Sequence, residues 1–321
     1  MRKTRICEIL NIEYPIIQGG MLWLANAELA AAVSNSGALG IISPLAGMER
    51  HGDASENLRL QISKARELTD KPFGVNIPLD LPQSGILIDV TLKEEVGVVV
   101  TSAGNPAHYS ELLHQNGATV IHVVSSVKQA QMAESCAVSA IIAEGVEAAG
   151  HIGFDELPLF SLLPQVVDAV DIPVIAAGGI VDARGLVASF SLGAEGVQLG
   201  TRFVAVTESM AHAHYKQAII GGKDTDTVIT CRKLLPARSL KTEFSRKLLD
   251  LEKSGASADD IRDFLGYRRA RKAQVEGDLT EGEAYCGASA GLIREIIPAA
   301  TVVQNLIEGY EEIIENLKKF L

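Results

Sequence analysis

His151 sits between two glycines in the stretch "IIAEGVEAAGHIG", Ile141 to Gly153. An imidazole titrates near neutrality, so one that faces a ligand can take or give a proton at pH 7. The apolar run Ile141–Ala143 before it reads as a strand that ends at the carboxylate Glu144. Ala148, Ala149 and Gly150 then clear space beside the histidine for a planar molecule. We read His151 as an acid–base group. We read Glu144 as a partner for the hydroxyls of a ribose or ribityl chain, or for a lysine. Taken in isolation, a lone loop histidine is more often structural than catalytic, and position decides between the two.

That position comes from two further motifs, "AAGGI" at Ala176–Ile180 and "LGTRF" at Leu199–Phe203. Each follows an apolar run and each turns on glycine. Paired Gly-rich turns at successive strand ends can aim backbone N–H groups at one anion. Gly178, Gly179, Gly200 and Thr201, with Ala177 at the turn's entry, are the candidate phosphate anchor. The alternative is two tight turns that need glycine for positive φ. Elsewhere "QGGML" offers Gly20 and Met21, where bare backbone can approach a ring face. Asn76 in "FGVNIPL" both donates and accepts, which suits a pyrimidine edge or a turn cap. His122 either lines the mouth or is a satisfied core histidine. His212 and His214 are two apart and do not share a helix face, so no metal site is expected.

Eight apolar, Val/Ile-rich runs would position these groups: 15–18, 39–42, 73–77, 96–101, 119–124, 140–143, 174–177 and 196–199. They do not alternate with polar residues, the mark of strands buried on both faces of a parallel sheet. Helical patterns fall between them and several close on glycine. Eight βα units in roughly 200 residues predict a (β/α)8 TIM barrel, with the site at the C-terminal strand ends. No G-x-G-x-x-G follows the first strand, which weakens a doubly wound alternative. The domain reading is a barrel over 1–220, an inserted charged helical subdomain or lid over 221–285, and a return with a C-terminal helix over 286–321. The apolar face of that helix (Val302, Val303, Leu306, Ile313, Ile314, Leu317) would cap the barrel or pair with a second copy in a homodimer.

Bulk properties narrow the class. The chain has 321 residues, 47% of them hydrophobic, and can bury a large core. A net charge of -11 argues against nonspecific nucleic-acid binding. No apolar run reaches the ~20 residues of a membrane span, and no apolar segment of a signal peptide follows the basic N-terminus. Cys7, Cys136, Cys231 and Cys286 form no C-x-x-C pair. Free thiols and no zinc site follow, with a cytoplasmic location and a small-molecule substrate as the expectation. Cys136 reads as a small buried hydrophobe.

"YPIIQGGMLW", "LAAAVSNSGALGIIS", "DKPFGVNIPL", "EGVEAAGHIG", "IPVIAAGGI" and "GVQLGTRF", in this order, resemble the nitronate monooxygenase (2-nitropropane dioxygenase) family. That family also holds FMN-dependent enoyl-acyl-carrier-protein reductases of the second type and NADH:quinone reductases. The resemblance spans nearly the whole chain. It implies a TIM barrel holding FMN through Gly20, Met21, Asn76, Glu144, Ala149, Gly150, Gly178, Gly179, Gly200 and Thr201, with His151 as catalytic base. It implies nitronate oxidation by O2 through the flavin. The alternative is NAD(P)H-dependent reduction of an enoyl thioester or a quinone, with acyl-carrier protein as a partner in the thioester case. A basic set in the insert (Arg232, Lys233, Arg238, Lys241, Arg246, Arg268, Arg269, Arg271, Lys272) would favour that alternative if it formed a patch at the mouth. Two departures stand out: "AGH" replaces the family's "GGH" at Ala149, and Val123 follows the strand-five histidine where some members have lysine.

Overall fold

The structure, a computed structural model, describes Met1 and residues 3–49 and 52–319. Its strands in chain order are β1 (Ile16–Gln18), β2 (Gly40–Ile42), β3 (Phe73–Pro78), β4 (Val98–Ser102), β5 (Thr119–Val124), β6 (Ala140–Glu144), β7 (Gly150–His151), β8 (Val174–Ala177), β9 (Gly196–Leu199), β10 (Thr227–Thr230) and β11 (Ala237–Leu240). Eight of them form one parallel sheet in the order β1-β9-β8-β6-β5-β4-β3-β2. The edges meet: Ile17 bridges Leu39 in parallel, and Gln18 N donates to Leu39 O at 2.9 Å. This is the (β/α)8 barrel. All eight expected runs are strands in it.

Each barrel strand buries both faces, which is why the runs do not alternate with polar residues. Val98, Val100, Ile121, Ala140, Ile142 and Ile175 fill the barrel interior. The intervening Val99, Val120, Ile141, Val174 and Ala176 pack outward beneath the helices. An unforeseen helix, Arg5–Leu10, sends Ile6, Cys7 and Leu10 into the interior cluster. Among the helices, Asn26, Asp53, Ser126 and Asp182 accept N-terminal amides with their side chains, the ordinary N-cap chemistry. Cys136 departs from its expected burial. It is a half-buried cap residue after helix Val127–Ser135.

The charged segment after the barrel is not helical from its start. It opens with the antiparallel hairpin β10–β11, and β11 then pairs with β7. The helices Glu243–Lys253, Ala258–Leu265 and Arg269–Gln274 follow. The Leu and Arg residues that recur from Arg232 onward read as helical, but Ala237–Leu240 among them is a strand. The pairing partner, Gly150–His151, lies some 80 residues upstream and leaves no local signal. The C-terminal helix Ala299–Lys318 buries Val302, Val303, Leu306 and Ile307. It packs on the helices Ala183–Ser191 and Ala27–Asn35 of its own chain. The first half of its apolar face therefore covers the barrel wall, whereas Leu317 stays exposed. No described helix is long and apolar enough to cross a membrane.

Candidate active site

A cavity of about 1130 Å³ opens at the C-terminal ends of the barrel strands. His151 and the eleven residues read as cofactor contacts (Gly20, Met21, Asn76, Glu144, Ala149, Gly150, Ala177, Gly178, Gly179, Gly200 and Thr201) all line its wall. They come from the ends of five barrel strands, β1, β3, β6, β8 and β9, so no stretch of local sequence could bring them together.

His151 is not on a free loop. Its strand β7 pairs with β11, Ala237 opposite His151 and Arg238 opposite Gly150. Ile152 N donates to Pro236 O at 2.9 Å and continues the ladder. Gly150 makes this possible, because its φ of +74° suits glycine. By accessible surface His151 is an exposed residue, and it lines the cavity. Desolvation lowers its pKa below the ordinary value, opposed by the nearby Asp80 carboxylate, so the ring is neutral at pH 7. Nε2 lies 3.4 Å from the Tyr285 hydroxyl.

Glu144, at the end of β6, faces the cavity with no ion-pair partner among the described residues. Desolvation pushes its carboxyl up to about 7. No lysine pairs with it. His122 on β5 reconciles its two readings: it is buried, hydrogen-bonds Thr101 Oγ1 through Nδ1 at 2.8 Å, and still touches the cavity. Burial lowers its pKa to about 4, so it is neutral at physiological pH. Asn76 Nδ2 donates to Val100 O at 3.3 Å, which anchors the amide at the wall.

The turns after β8 and β9 form an anion cradle. The amides of Gly178, Gly179, Gly200 and Thr201 have no acceptor among the described residues. Gly178 and Gly179 need positive φ, +96° and +75°. At Gly200 a Cβ would meet no atom within 4 Å, so the space beside it is open. The return segment after the insert braces both turns. Gly287 N donates to Thr201 Oγ1 at 3.0 Å, and Ser289 Oγ donates to Gly179 O at 2.7 Å.

Whether these residues suit FMN can be tested on the wall itself. A phosphate needs unpaired amides, which the two turns supply. A ring face needs bare backbone, and a Cβ on Gly20 would lie 2.5 Å from Asn76 Cγ. A polyol chain needs unsatisfied polar atoms, and Gln198 Oε1 is buried at the wall without a partner. The residues fit the cofactor. Sequence reasoning missed Gln198, Glu147, Glu283 and Tyr285. Only Gln198 carried a signal, as the one polar residue inside the run "GVQL".

The basic set in the insert does not form one patch. Arg232 pairs with Glu156 at 2.5 Å, Arg238 Nε donates to Val146 O at 2.9 Å, and Arg271 pairs with Glu276. Arg268 and Arg269 do reach the cavity rim. Arg268 stacks 5.5 Å over Trp23 and 4.7 Å over the exposed Tyr267.

A TIM barrel with a glycine-built cradle of unpaired amides and a histidine at the C-terminal mouth has the layout of a barrel enzyme. The nitronate monooxygenase family profile matches residues 3–86 and 84–309. A probable nitronate monooxygenase from Staphylococcus saprophyticus is 35% identical, with 97% of this chain and 98% of that protein covered. FabK from Thermotoga maritima superposes with a TM-score of 0.94 at 45% identity, both chains fully covered. A nitroalkane oxidase from Streptomyces ansochromogenes superposes at 0.84 with 28% identity, over 98% of this chain and all of that one. The chain belongs to the nitronate monooxygenase family, an oxidoreductase family.

Proposed function

We propose that this protein is an FMN-dependent oxidoreductase that oxidises alkyl nitronates with O2, with His151 as the catalytic base. The observation that carries it is the convergence of an unpaired amide cradle and an imidazole on one cavity. Gly178, Gly179, Gly200 and Thr201 would hold the phosphate, Glu144 and Gln198 the polyol chain, and Gly20, Met21, Asn76, Ala149 and Gly150 the ring. Bound there, FMN would supply two-electron chemistry. His151, uncharged and open to the cavity, would take the substrate's proton or hold its anionic group. The family profile and the curated relatives named as nitronate monooxygenases support this reading.

A second reading is favoured by the size of the cavity. Ligand pockets usually run to ~300–1,000 Å³, and about 1130 Å³ leaves room for a cofactor and a long co-ligand together. The mouth carries the exposed Phe154 and Tyr267 beside Arg268, a surface suited to an apolar chain or a nucleotide. The 45% identity to FabK points the same way. On this reading the enzyme is an NAD(P)H-dependent reductase of an enoyl thioester or a quinone, with acyl-carrier protein as a partner in the thioester case.

Anaerobic mixing of the flavin-loaded protein with propyl-2-nitronate, and separately with NADH or NADPH, tests both. Bleaching by nitronate alone supports the first. Bleaching by a nicotinamide alone replaces it with the second. Absence of bound flavin refutes both. Replacing His151 with Asn should slow the productive half-reaction by roughly 10²–10⁴-fold, the usual weight of general acid–base catalysis.

A further inference from the structure

One edge of strand β11 carries two polar groups of the cavity wall. Ala237 on β11 stands opposite His151, and Ser239 stands opposite Tyr285, both in antiparallel pairs. Three backbone bonds run along that edge. Ile152 N donates to Pro236 O at 2.9 Å, Cys286 N to Arg238 O at 3.2 Å, and Leu240 N to Ala284 O at 2.8 Å. Opposed residues of an antiparallel pair share a face, and so do residues two apart along a strand. Ala237 and Ser239 are two apart, so their partners His151 and Tyr285 project to one face. The two rings are 5.7 Å apart between centroids, and the Tyr285 hydroxyl lies 3.4 Å from His151 Nε2. Both residues line the cavity. A strand of the charged insert therefore sets their spacing.

Tyr285 is fixed by its backbone and its ring, not by its hydroxyl. Tyr215 donates its own hydroxyl to Tyr285 O. The ring lies along Gly150, where a Cβ would be 3.4 Å from Tyr285 Cδ2. The contact with His151 is the one hydrogen bond of the Tyr285 hydroxyl among the described residues, and 3.4 Å is long for such a bond. The hydroxyl turns about its C–O bond and carries one proton. Burial keeps that proton on, because it raises the pKa well above the ordinary range of a phenol. A donor on a fixed ring beside an acid–base group is thus available to a ligand, whichever nitrogen of the imidazole is protonated. Two atoms 3.4 Å apart can both reach one ligand oxygen at about 2.8 Å.

We propose that Tyr285 is a second substrate-contacting residue of this site: its hydroxyl donates a hydrogen bond to an oxygen of the substrate's reacting head, held beside His151. The substrate class this selects is a planar head whose oxygen is conjugated with the reacting carbon. A nitronate offers that oxygen as an oxyanion, and an enoyl thioester or a quinone offers it as a carbonyl. A head without the oxygen leaves the hydroxyl unpaired in the complex, and sites built to hydrogen-bond a substrate reject such analogues. The inference deepens the proposed function and rests on it, but its test needs no turnover.

The experiment is isothermal titration calorimetry of the full, flavin-loaded chain with benzoate, acetophenone and ethylbenzene. The three share a ring. Benzoate offers an oxyanion, acetophenone a conjugated carbonyl, and ethylbenzene no oxygen. Wild type should prefer at least one oxygen-bearing probe to ethylbenzene. Tyr285→Phe keeps the ring and the backbone contacts. It should weaken that probe about fivefold or more, the weight of one hydrogen bond, and leave ethylbenzene within about twofold. A loss confined to benzoate supports the contact with an oxyanion, and one confined to acetophenone supports it with a carbonyl. Tyr285→Met also lacks the hydroxyl and gives the same comparison if Tyr285→Phe fails to fold. Unchanged affinities for all three probes overturn the proposal. So does an equal loss for all three, which would make Tyr285 a packing residue. A wild type with no preference for either oxygen-bearing probe over ethylbenzene overturns it too. Absence of bound flavin, or full turnover in His151→Asn, would instead refute the functional reading and leave the probe affinities to be read on their own.

Discussion

Glu144→Gln isolates the electrostatic character of the cavity floor. In the fold, burial raises this carboxyl from an ordinary 4.5 to about 7. Its protonated form is therefore favoured by folding and its ionised form is disfavoured. Linkage gives the sign: between pH 4.5 and 7 the native state binds more protons than the unfolded chain at this site, so stability falls as pH rises. The loss is complete above pH 7 and absent below 4.5. At about 1.4 kcal/mol per tenfold change in proton affinity, the whole effect is about 3 kcal/mol. Glutamine has the same shape and no charge. The apo form of Glu144→Gln should match wild type in urea unfolding at pH 4.5 and exceed it by up to about 3 kcal/mol at pH 8.5. Glu283 and the other titrating groups are common to both proteins and cancel in the difference. Parallel stability curves for the two proteins across this range would refute the reasoning, since they would mean that Glu144 is solvated in the cavity.

Three further tests probe the cradle and its brace. Gly200→Ala, whose φ of -100° is allowed for any residue and whose Cβ meets no protein atom, should leave thermal stability unchanged and weaken FMN binding at least tenfold in a fluorescence titration. Gly178→Ala should instead destabilise the fold by about 1–2 kcal/mol, because φ is +96° and the Cβ would lie 2.9 Å from Gly145 O. Thr201→Val removes the acceptor of the Gly287 amide and should cost about 1–3 kcal/mol, with faster hydrogen exchange at Gly287. Raising the pH from 6 to 8 should leave His122 uncharged throughout, so a histidine step in that range belongs to another residue, as His122→Asn difference spectra would show.

What could be read in the sequence was whatever depends on neighbours along the chain. Val98–Ser102 and Ala140–Glu144 announce themselves because a strand buried on both faces must be apolar at every position. Gly178, Gly179 and Gly150 announce themselves because positive φ admits little else. The order of strands and helices then restricts the architecture to very few solutions, and the barrel rule assigns the functional end. His151 could be singled out for its bare surroundings.

The tertiary structure decided what depends on contacts between distant segments. The hairpin β10–β11 was invisible, because its strands are only four residues each and β11 is held by pairing with β7 far upstream. That pairing turns a loop histidine into a held one. Arg232, Arg238 and Arg271 looked like a basic patch. Folding gives each its own acidic or carbonyl partner, Glu156 and Val146 of the barrel region for Arg232 and Arg238 and Glu276 for Arg271, so they form no single patch. Tyr285 follows no motif, and only folding brings its hydroxyl to 3.4 Å from His151 Nε2. A side chain's type is local information, but its partner and its protonation are set by groups that only the folded chain brings within reach.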